Sequence, residues 1–158
     1  MECHGHFRTA SCIQCGHPYD GEKCKRSILE DLKAPTCTKC RYGLVKPDIV
    51  FFKESLPKRF WSLVEDDIRG ADLIIVVGTS LTVAPVSSLP QFADKSCRRL
   101  LLNRELVGDF VPPGVKGNDR DVFLEGDCDD SVLKLCQILG WEEELADLNT
   151  SSVISSDK

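Results

Sequence analysis

Leu73-Ile74-Ile75-Val76-Val77, closed by Gly78-Thr79-Ser80, is the stretch on which the reading of the fold turns. Its five apolar residues run on without alternation. That pattern is expected of a strand in a parallel sheet whose two faces are both covered by helices. Downstream, a helical stretch is expected to about Ala93, then a second buried strand at Leu100-Leu101-Leu102 and a short third one from Asp121 to Leu124. Val132, Leu135, Cys136 and Leu139 fall on one face of a following helix, with Gly140 behind it as a stop. This order of strands and helices is the grammar of an open α/β sheet. Upstream, Ile49-Val50-Phe51-Phe52 is a short β-prone run. Pro57 to Arg69 reads as a helix with Phe60, Leu63, Val64 and Ile68 roughly on one face.

Residues 10–45 are of another kind, poorly periodic and punctuated by cysteine. Cys12 and Cys15 form one C-x2-C pair, Cys37 and Cys40 a second, with twenty-one residues between them. Each pair can place two sulfurs on one side of a tight turn, and two such turns make a tetrahedral cage. Four thiolates suit Zn2+, with iron as the other occupant to consider. Protein sulfur fills every position, so the centre is structural and leaves no place for water or substrate. Cys24 lies between the pairs and is the one candidate for a fifth ligand, although Lys23 and Lys25 beside it suit an exposed loop.

Composition narrows the choices. The chain has 158 residues, 42% hydrophobic and 28% charged, enough to bury a core. A net charge of -5 disfavours direct nucleic-acid binding, and no apolar run approaches a membrane span. Nine cysteines beside a C-x2-C metal pattern fit a reducing, intracellular compartment, whether cytoplasm, nucleus or mitochondrion.

Ligands of open α/β sheets bind beyond the carboxyl ends of the strands, here Gly78-Thr79-Ser80, Asn103-Arg104-Glu105 and Gly126-Asp127-Cys128. Hydroxyls and amides at such turns can hold phosphate or ribose oxygens; the same residues also make an ordinary strand-to-helix turn with a cap. The chain contains neither G-x-G-x-x-G nor G-x-x-x-x-G-K-[ST]. His4, before Gly5, has the chemistry of a general base, or it is a structural or exposed histidine.

Taken in order, Glu2-Cys3-His4-Gly5, the two cysteine pairs, Lys46-Pro47-Asp48-Ile49-Val50-Phe51-Phe52, Gly78-Thr79-Ser80-Leu81 and Leu101-Leu102-Asn103-Arg104 resemble the sirtuins, NAD-dependent protein-lysine deacylases. The resemblance runs to about Leu148. The K-P-D-I-V-F-F stretch and Leu139-Gly140-Trp141 are most similar to the branch holding the cytosolic and mitochondrial deacetylases. It implies a partial Rossmann-like parallel sheet with helices plus a small four-cysteine zinc-ribbon module. Residues 1–9 would hold the catalytic His-Gly segment and 10–45 the zinc module. Residues 46–148 would be the carboxyl-terminal part of the NAD-binding domain, and 149–158 a disordered tail.

The resemblance also implies roles. His4 would be the catalytic base on a ribose hydroxyl, after the acetyl oxygen has attacked the nicotinamide ribose and nicotinamide has left. Ile49, Val50 and Phe52 would line the acyl-lysine tunnel, and Val50 to Glu54 would pair with the backbone of an acetylated protein entering as an added strand. Gly78, Thr79, Ser80, Asn103, Arg104 and Glu105 would hold the phosphate and adenosine ribose of NAD, and Cys128 would meet its adenine end. Lys53 departs from the glycine usual between the paired phenylalanines and Glu54, and His6 stands where a small or polar residue is usual. The family's glycine-rich G-A-G-x-S turn and Q-N-x-D segment have no counterpart here. The expectation is therefore a piece of a longer enzyme, inactive by itself, with an exposed apolar strand edge. The alternative is a non-catalytic short form that acts as a zinc-ribbon interaction module.

Overall fold

The computed structural model describes residues 1–112 and 114–154, with side chains through 150. The chain forms two compact units, Met1–Glu65 and Asp66–Lys158.

In the first unit β1 (Gly5–Cys12), β2 (Pro18–Asp20) and β3 (Val45–Ile49) make an antiparallel sheet in the order β2-β1-β3. Helix α1 (Gly21–Leu29) starts where the Asp20 carboxylate accepts the Lys23 N–H at 2.8 Å, a side-chain cap for an otherwise unpaired donor. Its inner face and the sheet bury Ala10, Cys12, Cys24, Cys37 and Val45, with Tyr19 and Ile28 packed against them. Cys24 is thus a core residue of α1, fully buried, and not part of an exposed loop.

The apolar run expected as a strand at 49–52 contributes only Ile49 to β3. Pairing with β1 defines the strand earlier in the chain, through Ala10↔Pro47 and Cys12↔Val45. Beyond it the Glu54 carboxylate takes the Phe51 N–H at 2.9 Å and the backbone turns. Helix α2 (Lys58–Gly70) follows, with Phe60 buried and Leu63, Val64 and Ile68 half-buried, the face expected from periodicity. The boundary between the units falls inside it.

In the second unit β4 (Leu73–Val77), β5 (Arg98–Asn103) and β6 (Asp121–Glu125) form the expected parallel sheet in the order β4-β5-β6. Val76, Leu101 and Phe110 make its core, with Ile74, Leu81, Val107 and Phe123 against them. The opposite face of β4 is open: Leu73, Ile75 and Val77 are 50%, 49% and 44% exposed. The helix expected up to Ala93 shrinks to a 3-10 turn at Val86–Ser88 and a single-turn α3 (Leu89–Phe92). Pro85 and Pro90 each remove a backbone donor there. Helix α4 (Cys128–Leu139) ends at Gly140, as its periodicity predicts, and α5 (Glu142–Ile154) follows. The tail expected from Asn149 therefore begins inside a helix, and residues 155–158 lie outside the described residues.

A buried ion cluster ties this unit together. Arg99 donates from Nε and Nη2 to the two carboxylate oxygens of Asp121 at 2.7 and 2.6 Å, and both side chains are 1% exposed. Its Nη1 reaches the Asp109 carboxylate at 2.9 Å and the Pro90 carbonyl at 3.1 Å, and its guanidinium lies over the Phe110 ring. Strand β5, strand β6 and the connection between them thus meet at one charge.

Candidate functional site

The four cysteines of the two pairs converge, with all four sulfurs within 4.8 Å of one another. Both turns are built alike. Gly16 donates its N–H to the Cys12 carbonyl at 2.9 Å from φ +66, and Arg41 does the same to the Cys37 carbonyl at 3.0 Å from φ +65. Backbone N–H groups then point at sulfur: Gln14 to Cys12 at 3.4 Å, Lys39 to Cys37 at 3.3 Å, Gly43 to Cys40 at 3.3 Å. Gly43 matters through close approach, because a Cβ there would stand 2.5 Å from the Cys12 sulfur. Its place near the second pair was visible in the sequence. The left-handed Arg41 was not, since arginine carries no such signal.

The electrostatics suit a cation. The Cys37 thiol is pulled down to about 6, first by the N–H of Cys40 and then, against burial, by that of Lys39. Cys40 is lowered too, chiefly by the N–H of Tyr42. Cys15 goes the other way. The His17 N–H lowers it, but burial and three neighbouring sulfurs outweigh that and push it up to about 11. Crowded sulfurs resist sharing negative charge, and a divalent ion among them removes that resistance. The donor set fits one structural Zn2+. Cys24 is not one of the clustered ligands.

His4 occupies an exposed turn just before β1. Its carbonyl accepts the Val50 N–H at 2.8 Å, and Gly5 pairs with Ile49, so the histidine sits beside two residues expected to line the acyl-lysine tunnel. The third, Phe52, projects into solvent at 90% exposure. Glu54 is engaged within its own turn: its carboxylate holds the Phe51 N–H and pairs with Lys46 Nζ at 3.1 Å. Those two contacts, the Phe51 bond first, keep its carboxyl below the ordinary value. Lys46 also donates to the Ile49 carbonyl at 2.6 Å and lies over the Phe51 ring. Lys46 opens the K-P-D-I-V-F-F motif, but nothing in that motif signals this role. Its role depends on contacts three to eight residues away across a turn.

In the second unit Gly78, Thr79, Ser80, Asn103, Arg104, Glu105 and Cys128 line one cleft of about 560 Å³ at the carboxyl ends of the three strands. Backbone bonds hold those ends level: Gly78 N–H to the Leu102 carbonyl and Gly126 N–H to the Asn103 carbonyl, each 3.1 Å. The Thr79 hydroxyl accepts the Leu81 N–H at 3.2 Å, and Ser80 shares a hydrogen with Thr82. Asn103 donates to the Glu105 carbonyl at 2.9 Å, folding the loop back. Arg104 pairs with Asp127, another cleft residue that sequence reasoning placed at a strand end without a role. Every residue expected at the cofactor therefore faces a common space whose hydroxyl, amide and carboxylate groups match ribose and phosphate oxygens.

Fold and donor set together define an α/β protein with a four-cysteine structural zinc centre. Residues 1–85, just over half of the chain, match the family model of the Sir2 family, and the chain belongs to that family. It is 40% identical to the NAD-dependent protein deacetylase hst2 of Schizosaccharomyces pombe, over 97% of this chain and 44% of that protein. It is 46% identical to the NAD-dependent deacetylase sir2A of Dictyostelium discoideum, over 91% of this chain and 29% of that one. With the NAD-dependent protein deacetylase sirtuin-3 of Mus musculus it shares 45% identity, over 94% and 42%. The chain thus spans less than half the length of these relatives. Among the described residues, no helix is long and apolar enough to cross a membrane.

Proposed function

We propose that this chain carries part of an NAD-dependent protein-lysine deacylase: the catalytic histidine, the zinc module, the substrate edge and the adenosine side of the nucleotide site. The observation that supports it best is the convergence of Gly78, Thr79, Ser80, Asn103, Arg104, Glu105 and Cys128 on one cleft. In this reading Thr79 and Ser80 hold phosphate oxygens, and Asn103 and Glu105 bond the adenosine ribose. NAD, when bound, supplies the ribose carbon that receives the acyl group as nicotinamide departs. The His4 imidazole accepts a proton from a ribose hydroxyl. Ile49 and Val50, half-buried and next to His4, give the neutral acyl-lysine an apolar wall, while the zinc centre fixes the sheet from which His4 projects.

The test is release of nicotinamide from NAD by the enzyme of which this chain is part, given an acetyl-lysine peptide. Peptide-dependent release, lost in His4→Ala while zinc content is kept, supports the reading. Release that survives His4→Ala, or none with any acylated peptide, overturns it.

A further inference from the structure

The turn after β3 holds a lysine in a conformation that favours glycine. Lys53 has φ +73, one of four non-glycine residues of positive φ among the described residues. A side chain in the left-handed region is strained relative to its usual conformations. Glycine would avoid that strain, and among the described residues no hydrogen bond or ion pair of Lys53 offsets it. Its side chain is exposed, and among the described residues no carboxylate pairs with its ammonium. The neighbouring acid is already taken: Glu54 holds the Phe51 N–H and the Lys46 ammonium. That clasp fixes the turn, neutralises Lys46 and Glu54 against each other, and leaves Lys53 as the uncompensated charge at its tip.

The surroundings add to the effect. From Lys46 to Arg59 stand four basic and two acidic side chains, in a chain whose net charge is -5. One of the two acids is Glu54, and the other, Asp48, accepts the Thr9 hydroxyl at 2.5 Å. The segment that would lie along a bound peptide is therefore locally positive on an acidic protein. Lys58 and Arg59, at the start of α2, extend that sign beyond the turn.

We propose that Lys53 is a specificity-determining residue that favours acylated segments bearing Asp or Glu within two residues of the acyl-lysine. The inference rests on the deacylase reading, and it deepens that reading by naming a substrate class. An exposed ion pair in the stronger part of the usual range, about 0.4–1 kcal/mol, gives a preference of roughly two- to fivefold. It would weaken as salt shortens the reach of charge to about 10 Å at 0.1 M.

The experiment compares kcat/KM of the native protein for two acetyl-lysine peptides identical except for glutamate or lysine beside the acetyl-lysine, at low and high salt. The expected result is a two- to fivefold preference for the glutamate peptide, shrinking with salt, abolished in Lys53→Gly and reversed in Lys53→Glu. Lys53→Gly should melt no lower than the wild type, because glycine accepts this φ freely. That rules out misfolding as the source of a lost preference. Equal rates on both peptides, or a preference that persists in Lys53→Gly, overturn the inference while turnover itself leaves the deacylase reading standing. No turnover on any acetylated peptide overturns both.

Discussion

A Cβ placed on Gly5 would come 2.0 Å from the carbonyl oxygen of Asp48, with Ile49 Cα 2.9 Å away. The start of β1 and the end of β3 cross there with no room for a side chain, and Gly5 also has φ +75. The glycine after His4 is therefore what lets the histidine stand next to Val50. Gly5→Ala should cost at least about 2 kcal/mol in stability and remove activity. Urea denaturation checks the first effect and nicotinamide release the second.

Gly43 and the sulfurs give a second prediction. Structural zinc contributes roughly 10–16 kcal/mol of binding free energy in small thiolate domains. A strong chelator should release one zinc per chain and melt the β2-β1-β3 sheet. Cys37→Ser should abolish stoichiometric zinc, and Gly43→Ala should weaken it by crowding the Cys12 sulfur. Metal titration with a chromogenic chelator, followed by circular dichroism, reads all three.

Arg99 and Asp121 are the third case. Burial raises the Asp121 carboxyl, but the Arg99 hydrogen bonds and the Val111 N–H outweigh it and hold it below its ordinary value of 3.8. A depressed carboxyl stabilises the fold fully above the unfolded pKa, and the contribution is lost as pH falls through the folded value. Asp121→Ala should therefore destabilise by about 3–5 kcal/mol at neutral pH. Asp121→Asn should flatten the acid limb of the stability profile below about pH 4. Denaturation midpoints from pH 2 to 7 measure both.

The Lys46–Glu54 clasp should act on substrate binding. Glu54→Gln or Lys46→Met should raise the peptide KM by roughly two- to fivefold with kcat nearly unchanged. Because the Glu54 carboxyl is lowered, the clasp is intact at neutral pH and opens only as pH falls through that lowered value. The peptide KM of the wild type should not respond to Glu54 between pH 6 and 8. Steady-state kinetics across that range decide it.

These cases also mark what could be read from residues alone. Leu73–Val77 announced a strand because a five-residue β-branched and aliphatic run closed by Gly78 is too short for a helix, and the cysteine spacing announced the cage because two C-x2-C pairs about twenty residues apart suit one tetrahedral ion. Local patterns carried both. Arg99 escaped notice because burying a charge depends on Asp121 in its neighbouring strand, a relation of register and not of adjacency. Lys46 escaped for a different reason: its partners stand three to eight residues on, across a turn that no periodicity announces. Cys24 was misread because two flanking lysines suggested solvent, while α1 turns the cysteine inward and both lysines outward. The candidate cleft was legible as three separate strand ends; their shared space followed only once the sheet had its order.

The connection from β5 to β6 is fastened close to its roots. Arg99 holds Asp109 and Asp121, and Asn118 holds the Val111 and Asp121 carbonyls at 3.4 and 3.1 Å. An insertion between those anchors should therefore leave the sheet in place. Val115, Lys116 and Gly117 are exposed at the outer side of the loop. A short epitope or a fluorophore-accepting peptide inserted there has a protected attachment point, and the cleft at Asn103–Glu105 would scarcely register it. The same guanidinium that cements the sheet thus gives the molecule a handle.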